Sequence, residues 1–167
     1  MGQSDKSSTV YYLEMLDIGQ LQPKDSPPGL DITMVDPPAF ETNRDFYREV
    51  GAKWGWTDRL VWSDQQWADY VSRPELQTWI ACVDGESAGY FELEAQEPGD
   101  VEIIYFGLLD QYINRGLGGA MLTEAIRRAW SFGGARRVWL HTCTEDHPAA
   151  LANYRRRGFE LYDTKRE

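Results

Sequence analysis

The sequence predicts a single α/β domain, a sandwich of helices around a central sheet, and three observations carry that prediction. The chain has 167 residues, 42% of them hydrophobic and 26% charged, enough for one core and too few for two ordinary domains. Short apolar or alternating segments are interleaved with segments whose apolar residues return every three or four positions, the order of strands and helices in a layered fold. Asp84-Gly85 stands between two strand-like runs and marks a tight hairpin.

Taken in order, residues 1–9 are polar and predict a tail ahead of one domain over residues 10–167. Val10 to Leu16 reads as a strand, followed by a loop through Pro27, Pro28 and Gly29. Leu30 to Val35 is a second extended segment closed by Pro37 and Pro38. Phe40 to Val50 and Ser63 to Val71 read as helices, the second with Ser63 as N-cap and Gln66 completing a capping box. Trp54, Trp56, Trp62 and Trp67 cluster here, either packing two short helices on a sheet or lining a pocket for an organic substrate. Thr78 to Val83 and Ser87 to Glu94 form the hairpin. Val101 to Leu109 is an almost wholly apolar strand, with Glu102, Ile104, Phe106 and Leu108 on one face and Val101, Ile103, Tyr105 and Leu109 on the other. Gly116 to Gly119 opens a helix reaching about Phe132, striped by Leu117, Met121, Leu122, Ala125, Ile126 and Ala129. Arg137 to Cys143 is a strand, Pro148 to about Gly158 a helix, and Phe159 to Tyr162 a last strand.

Composition excludes several classes. Aromatic content of 13%, with no low-complexity tract, rules out wholesale disorder. The apolar runs are too short to span a membrane, no signal peptide or lipid anchor is evident at the N-terminus, and a cytoplasmic protein is expected. Cys82 and Cys143 lie far apart in strand-like runs and read as reduced core thiols, and with only His141 and His147 beside them no metal site is expected. Residues 1–99 carry seven basic and eighteen acidic side chains, net −11, whereas residues 100–167 carry ten and nine, net +1. So acidic a first half repels phosphate backbones, which argues against nucleic acid, and attracts a cationic amine. The more basic second half tolerates a polyphosphate ligand.

The chemistry-bearing motif is Gly116-Leu117-Gly118-Gly119, between an apolar strand and a helix. Backbone N–H groups at such a helix start form an anion cradle that a ligand can approach closely because side chains are absent. The same glycines also serve a plain tight turn. The motif is not a dinucleotide fingerprint, since Met121 stands where a third spaced glycine belongs, and no Gly-Lys-Ser/Thr follows as in a P-loop.

Over about residues 78–162 the chain resembles the GNAT family of acyl-CoA-dependent N-acyltransferases. Val101 to Leu109 is similar to the family's fourth strand. Ile113-Asn114-Arg115-Gly116-Leu117-Gly118 is similar to its Q/R-x-x-G-x-G/A loop, and Ala150 to Phe159 to its AxxxYxxxGF helix. The resemblance implies a mixed, mostly antiparallel sheet flanked by helices and splayed between the fourth and fifth strands. It implies acetyl-CoA or a related acyl-CoA in that cleft, held mainly within residues 100–162: the pantetheine along Phe106, Gly107 and Leu108, and the pyrophosphate on the amides of Ile113, Asn114, Arg115, Gly116, Leu117, Gly118 and Gly119. Two positions depart from the pattern. Ile113 replaces the usual Gln or Arg, with Arg115 adjacent to supply charge, and His147 stands where many members carry an Asn that helps position the cofactor or a water, so the resemblance makes His147 a cofactor-binding residue while the residues alone also suit an N-cap before Pro148. The chain also ends after the counterpart of the sixth strand, so an early strand, Val10 to Leu16 or Leu30 to Val35, is expected to fill the sheet.

By the same resemblance the expected reaction is N-acetylation of a primary amine on a small molecule or peptide, by direct attack on the thioester. Glu102 matches the position of the family's acidic residue and is the expected base. Tyr154 matches its general-acid tyrosine and would protonate the departing sulfur, while the Leu108 amide would donate to the thioester oxygen. Trp54 and Trp56 are expected in the acceptor wall. A catalytically silent acyl-CoA-binding module is the alternative, and a homodimer through a sheet edge is a further implication.

Overall fold

In the computed structural model, which describes residues 8–166, the elements follow the expected order. They are β1 (Thr9–Met15), β2 (Leu30–Met34), α1 (Phe40–Gly51), α2 (Asp64–Val71), β3 (Leu76–Val83), β4 (Glu86–Gln96), β5 (Asp100–Leu108), α3 (Gly118–Trp130), β6 (Arg137–Cys143), α4 (Ala150–Arg156) and β7 (Glu160–Arg166). Most of the polar tail expected at residues 1–9 lies outside the described residues, and β1 already begins at Thr9. Helix α4 starts at Ala150 rather than Pro148, and β7 runs on to Arg166. The Ser63–Gln66 capping box forms as expected, Gln66 N–H donating to Ser63 Oγ (3.2 Å) and Ser63 N–H to Gln66 Oε1 (2.8 Å).

One seven-stranded sheet has the order β2-β3-β4-β5-β6-β1-β7, antiparallel throughout except for the parallel β5–β6 pair. It is β1 that fills the expected gap. It inserts between β6 and β7, from Val10 opposite Cys143 to Met15 opposite Val138, while β2 forms the far edge. The apolar side chains of β1 explain the insertion, because Leu13 and Met15 are fully buried against the face that α3 covers. Helices α1 and α2 pack on β3, β4 and β5 on the other side.

Strict alternation along β5 fails, and a bulge is the reason. Tyr90 pairs with Gly107 and Glu92 with Ile104, so two β5 residues, Tyr105 and Phe106, face one β4 residue, and Tyr105 takes φ +50°. The extra residue shifts the side-chain order. Phe106 and Leu108 join Val101 and Ile103 against the α3-side core, whereas Tyr105 turns to the α1 side.

Candidate active site

The paired register between β5 and β6 covers only Asp100–Arg137, Val101–Val138 and Glu102–Trp139. Beyond Glu102 a cavity of about 780 Å³ lies along β5, lined by Ile103 to Leu108, by Thr142 and Cys143 of β6, and by Tyr154 of α4. Leu109 N–H donates to Ala88 O (2.7 Å), and hydrogen bonds alternate along an antiparallel pair, so the Leu108 amide turns away from β4 toward the β6 side. Gly107 is required here for packing. A Cβ on it would fall 2.5 Å from Val50 Cγ1 of α1.

Past the end of β5 the same cavity reaches the glycine loop, where Ile113, Asn114, Gly116, Leu117, Gly118 and Gly119 line it. Asn114 (φ +65°) and Gly116 (φ +77°) adopt left-handed conformations that fold the chain into the start of α3. The apolar stripe of α3 fixes this end in place, since Ala120, Met121, Leu122, Ala125, Ile126 and Ala129 are all essentially buried. Arg115, expected to supply charge, has its guanidinium over the Tyr112 ring (5.3 Å) and does not line the cavity.

Glu102 is 7% exposed and lines the cavity. Its carboxylate accepts from Gln96 Nε2 (2.9 Å) and lies 3.2 Å from His141 Nδ1. Gln96 Nε2 also reaches Glu94 Oε1 (2.8 Å), and Arg73 Nη2 reaches Glu94 Oε2 (2.7 Å). Burial opposes the charge on Glu94, but the Gln96 amide and Arg73 outweigh it and hold this carboxyl below its usual range. Tyr154 is buried between Phe106 and Phe159, and burial, with Asp146 adding to it, pushes its phenol well above the usual value. It therefore stays protonated throughout the physiological range. Burial and Asp146 likewise raise the Cys143 thiol, so it stays protonated rather than forming a nucleophilic thiolate. Both cysteines are free and half-buried rather than core.

Trp54 and Trp56 lie in the turns after α1, not on a helix, and both line the cavity. Trp56 packs on Tyr47, Tyr90 and Tyr105 and also lines the cavity. Its Nε1 donates to Asp146 Oδ1 (3.3 Å), and Asp146 Oδ2 in turn accepts from Thr142 Oγ1 and from Cys143 N–H (3.1 Å). One carboxylate thus ties the tryptophan loop to the end of β6. His147 Nδ1 accepts from Ala149 N–H (3.0 Å), closing the turn into α4, and its ring meets Trp54 edge-on at 5.1 Å.

The family model described as the Acetyltransferase (GNAT) family matches residues 38–159, well over half of the chain. The chain belongs to the GNAT acetyltransferase family. Solved structures agree in fold. A GCN5-related N-acetyltransferase from Sphaerobacter thermophilus superposes with a TM-score of 0.72 at 18% identity, over 96% of this chain and 50% of that one. One from Kribbella flavida gives 0.68 at 22% identity, over 95% and 58%. An aminoglycoside acetyltransferase from an uncultured soil metagenomic sample gives 0.61 at 14% identity, over 76% and 86%. This chain thus spans about half to three-fifths of the first two proteins. No curated protein sequence matches it.

GNAT proteins use acyl-CoA, and the residues at the cleft fit such a ligand. A polar cradle of backbone amides at α3 is flanked by Arg157, whose buried Nε has no hydrogen-bond partner among the described residues. No group of side chains arranged to hold a metal ion occurs among the described residues, and no helix there is long and apolar enough to cross a membrane. Sequence reasoning missed several residues that line this cavity. Lys24, Asp146 and His141 reach it from loops or strands that carry no motif. Arg59 is 7% exposed and bonds the fully buried Glu92 (3.2 Å) and the Tyr70 hydroxyl (2.7 Å). The rings of Trp62, Trp67, Tyr70 and Tyr105 enclose its guanidinium. The tryptophan cluster was the one sequence signal for this box.

Proposed function

We propose that this GNAT protein transfers an acetyl group from acetyl-CoA to a primary amine of a small molecule or peptide, by direct attack of the amine on the thioester. The observation that carries the proposal is the single cleft along β5. The anion cradle of α3 lies past one end of that strand and the buried Glu102 carboxylate near the other, with Leu108 between them along the chain and Tyr154 lining the same cavity. Acetyl-CoA when bound supplies the activated acyl group.

The chain's own residues meet the remaining needs. An alkylamine is almost wholly protonated at neutral pH and must lose a proton before attack. Glu102 takes that proton, directly or through water, and its contact with His141 gives the proton an onward route to solvent, since the His141 side chain is 51% exposed. The Leu108 amide donates to the thioester oxygen as negative charge develops there. Tyr154 keeps its proton at working pH and delivers it to the departing sulfur. A covalent route through Cys143 is disfavoured because its thiol is held protonated. On the acceptor side, Trp54, Trp56, Asp58 and Glu94 give the cavity an aromatic and acidic wall that suits a cationic amine by charge and cation–π attraction.

Free-thiol release from acetyl-CoA, measured against a panel of amino acids, polyamines, aminoglycosides and peptide N-termini, tests the reading. Thiol release dependent on one amine class is expected. Acetyl-CoA binding without thiol release from any amine selects the silent binding module instead.

A further inference from the structure

The stretch after β1 is a strap. Its Gln22 N–H donates to Arg157 O (2.9 Å) at the end of α4, and its Lys24 N–H donates to Thr123 Oγ1 (3.0 Å) on α3. These main-chain anchors deliver the Lys24 side chain onto the glycine loop, where Nζ donates to Gly116 O (3.3 Å). Gly119 makes room for the lysine stem, because a Cβ there would fall 2.8 Å from Lys24 Cδ and 3.3 Å from an Arg157 Nη. Lys24 and Arg157 therefore flank the α3 cradle as two cations, and the buried Arg157 Nε has no hydrogen-bond partner among the described residues. The strap lies outside residues 38–159, the span matched by the family model. Inside that span, Ile113 stands where the loop pattern calls for Gln or Arg, and Arg115 packs on Tyr112.

We infer that Lys24 binds the diphosphate of acyl-CoA, supplying from the N-terminal strap the side-chain contact that Ile113 cannot make. The inference rests on the acyl-CoA reading above. An ammonium has three donors, and the Gly116 carbonyl takes only one, so two remain for phosphate oxygens. The carbonyl also holds Nζ at the loop, where Lys24 lines the cavity. Because the strap is anchored through main-chain groups, replacing the side chain leaves its path intact.

Dissociation constants of the full chain for acetyl-CoA, acetyl-dephospho-CoA and S-acetylpantetheine, at two salt concentrations, test this for wild type, Lys24→Ala and Lys24→Arg. Lys24→Ala is expected to weaken acetyl-CoA and acetyl-dephospho-CoA about tenfold, the loss of one charge-assisted contact. It should leave S-acetylpantetheine and the ligand-free melting temperature unchanged and flatten the salt dependence, while Lys24→Arg keeps most of the affinity. Equal acetyl-CoA affinity in wild type and Lys24→Ala overturns the inference and leaves the functional reading standing. An effect confined to acetyl-CoA and absent with acetyl-dephospho-CoA overturns the diphosphate assignment by pointing to the 3′-phosphate. A wild-type protein that binds none of the three removes the acyl-CoA reading and this inference together.

Discussion

Tyr154 and Glu102 are both buried, yet their surroundings suit opposite tasks. Tyr154 sits among phenylalanine rings that favour its neutral, proton-carrying form, whereas the Glu102 carboxyl accepts from Gln96 and lies beside His141 at the cleft. Tyr154→Phe is therefore expected to lower turnover about ten- to a hundredfold with acetyl-CoA affinity unchanged, because a thiol leaves tolerably without help. Glu102→Gln should cost about a hundredfold or more and shift the pH profile, as steady-state kinetics between pH 6 and 9 will read. Wild-type turnover in both variants across that range contradicts the assigned roles. Tyr154 was singled out in the sequence by the spacing of its helix motif and Glu102 by its place early in an apolar strand, and both line the cavity. His141, Asp146 and Lys24 were not singled out, since each reaches the site through the sheet order or a long-range contact that no local pattern encodes.

Among the elements, β5 shows where pattern reading succeeds and where it stops. Its apolar run predicted the strand, but the bulge at Tyr105 is invisible to strict alternation and decides which side chains face α3. The bulge also sends Tyr105 to the Arg59 box, which joins β4 and β5 to α2 through Glu92 and Tyr70. Opposite charges so fully enclosed depend on one another. Arg59→Met is expected to cost about 3–5 kcal/mol in urea unfolding because it strands the Glu92 carboxylate, and Arg59→Met with Glu92→Leu should recover most of that loss. Equal destabilisation in the single and double variants would show that the aromatic packing, not the ion pair, holds this box together.

Over the whole molecule, the N-terminal strand was foreseen as one of two candidates to fill the sheet, and β1 does so between β6 and β7. Only the three-dimensional order reveals that the following strap then crosses to the glycine loop. The tyrosines make a second whole-molecule expectation. Burial raises the phenols of Tyr70, Tyr90, Tyr105 and Tyr154 above their ordinary value in the folded chain. Their contribution to stability is fully present below the unfolded tyrosine value of about 10 and is lost as pH rises through the folded values, because the unfolded chain releases those protons first. Melting temperature should accordingly fall steeply above about pH 10, and a flat profile to pH 11 would contradict the buried placement of these rings. The central claim is that the cleft along β5 is an acyl-CoA site, and thermal unfolding with and without saturating acetyl-CoA, with ATP and NADH as controls, tests it most directly. At about 100 times its dissociation constant a ligand adds about 2.7 kcal/mol, a rise of several degrees specific to acetyl-CoA. No shift at millimolar acetyl-CoA, or an equal shift with ATP, would contradict it.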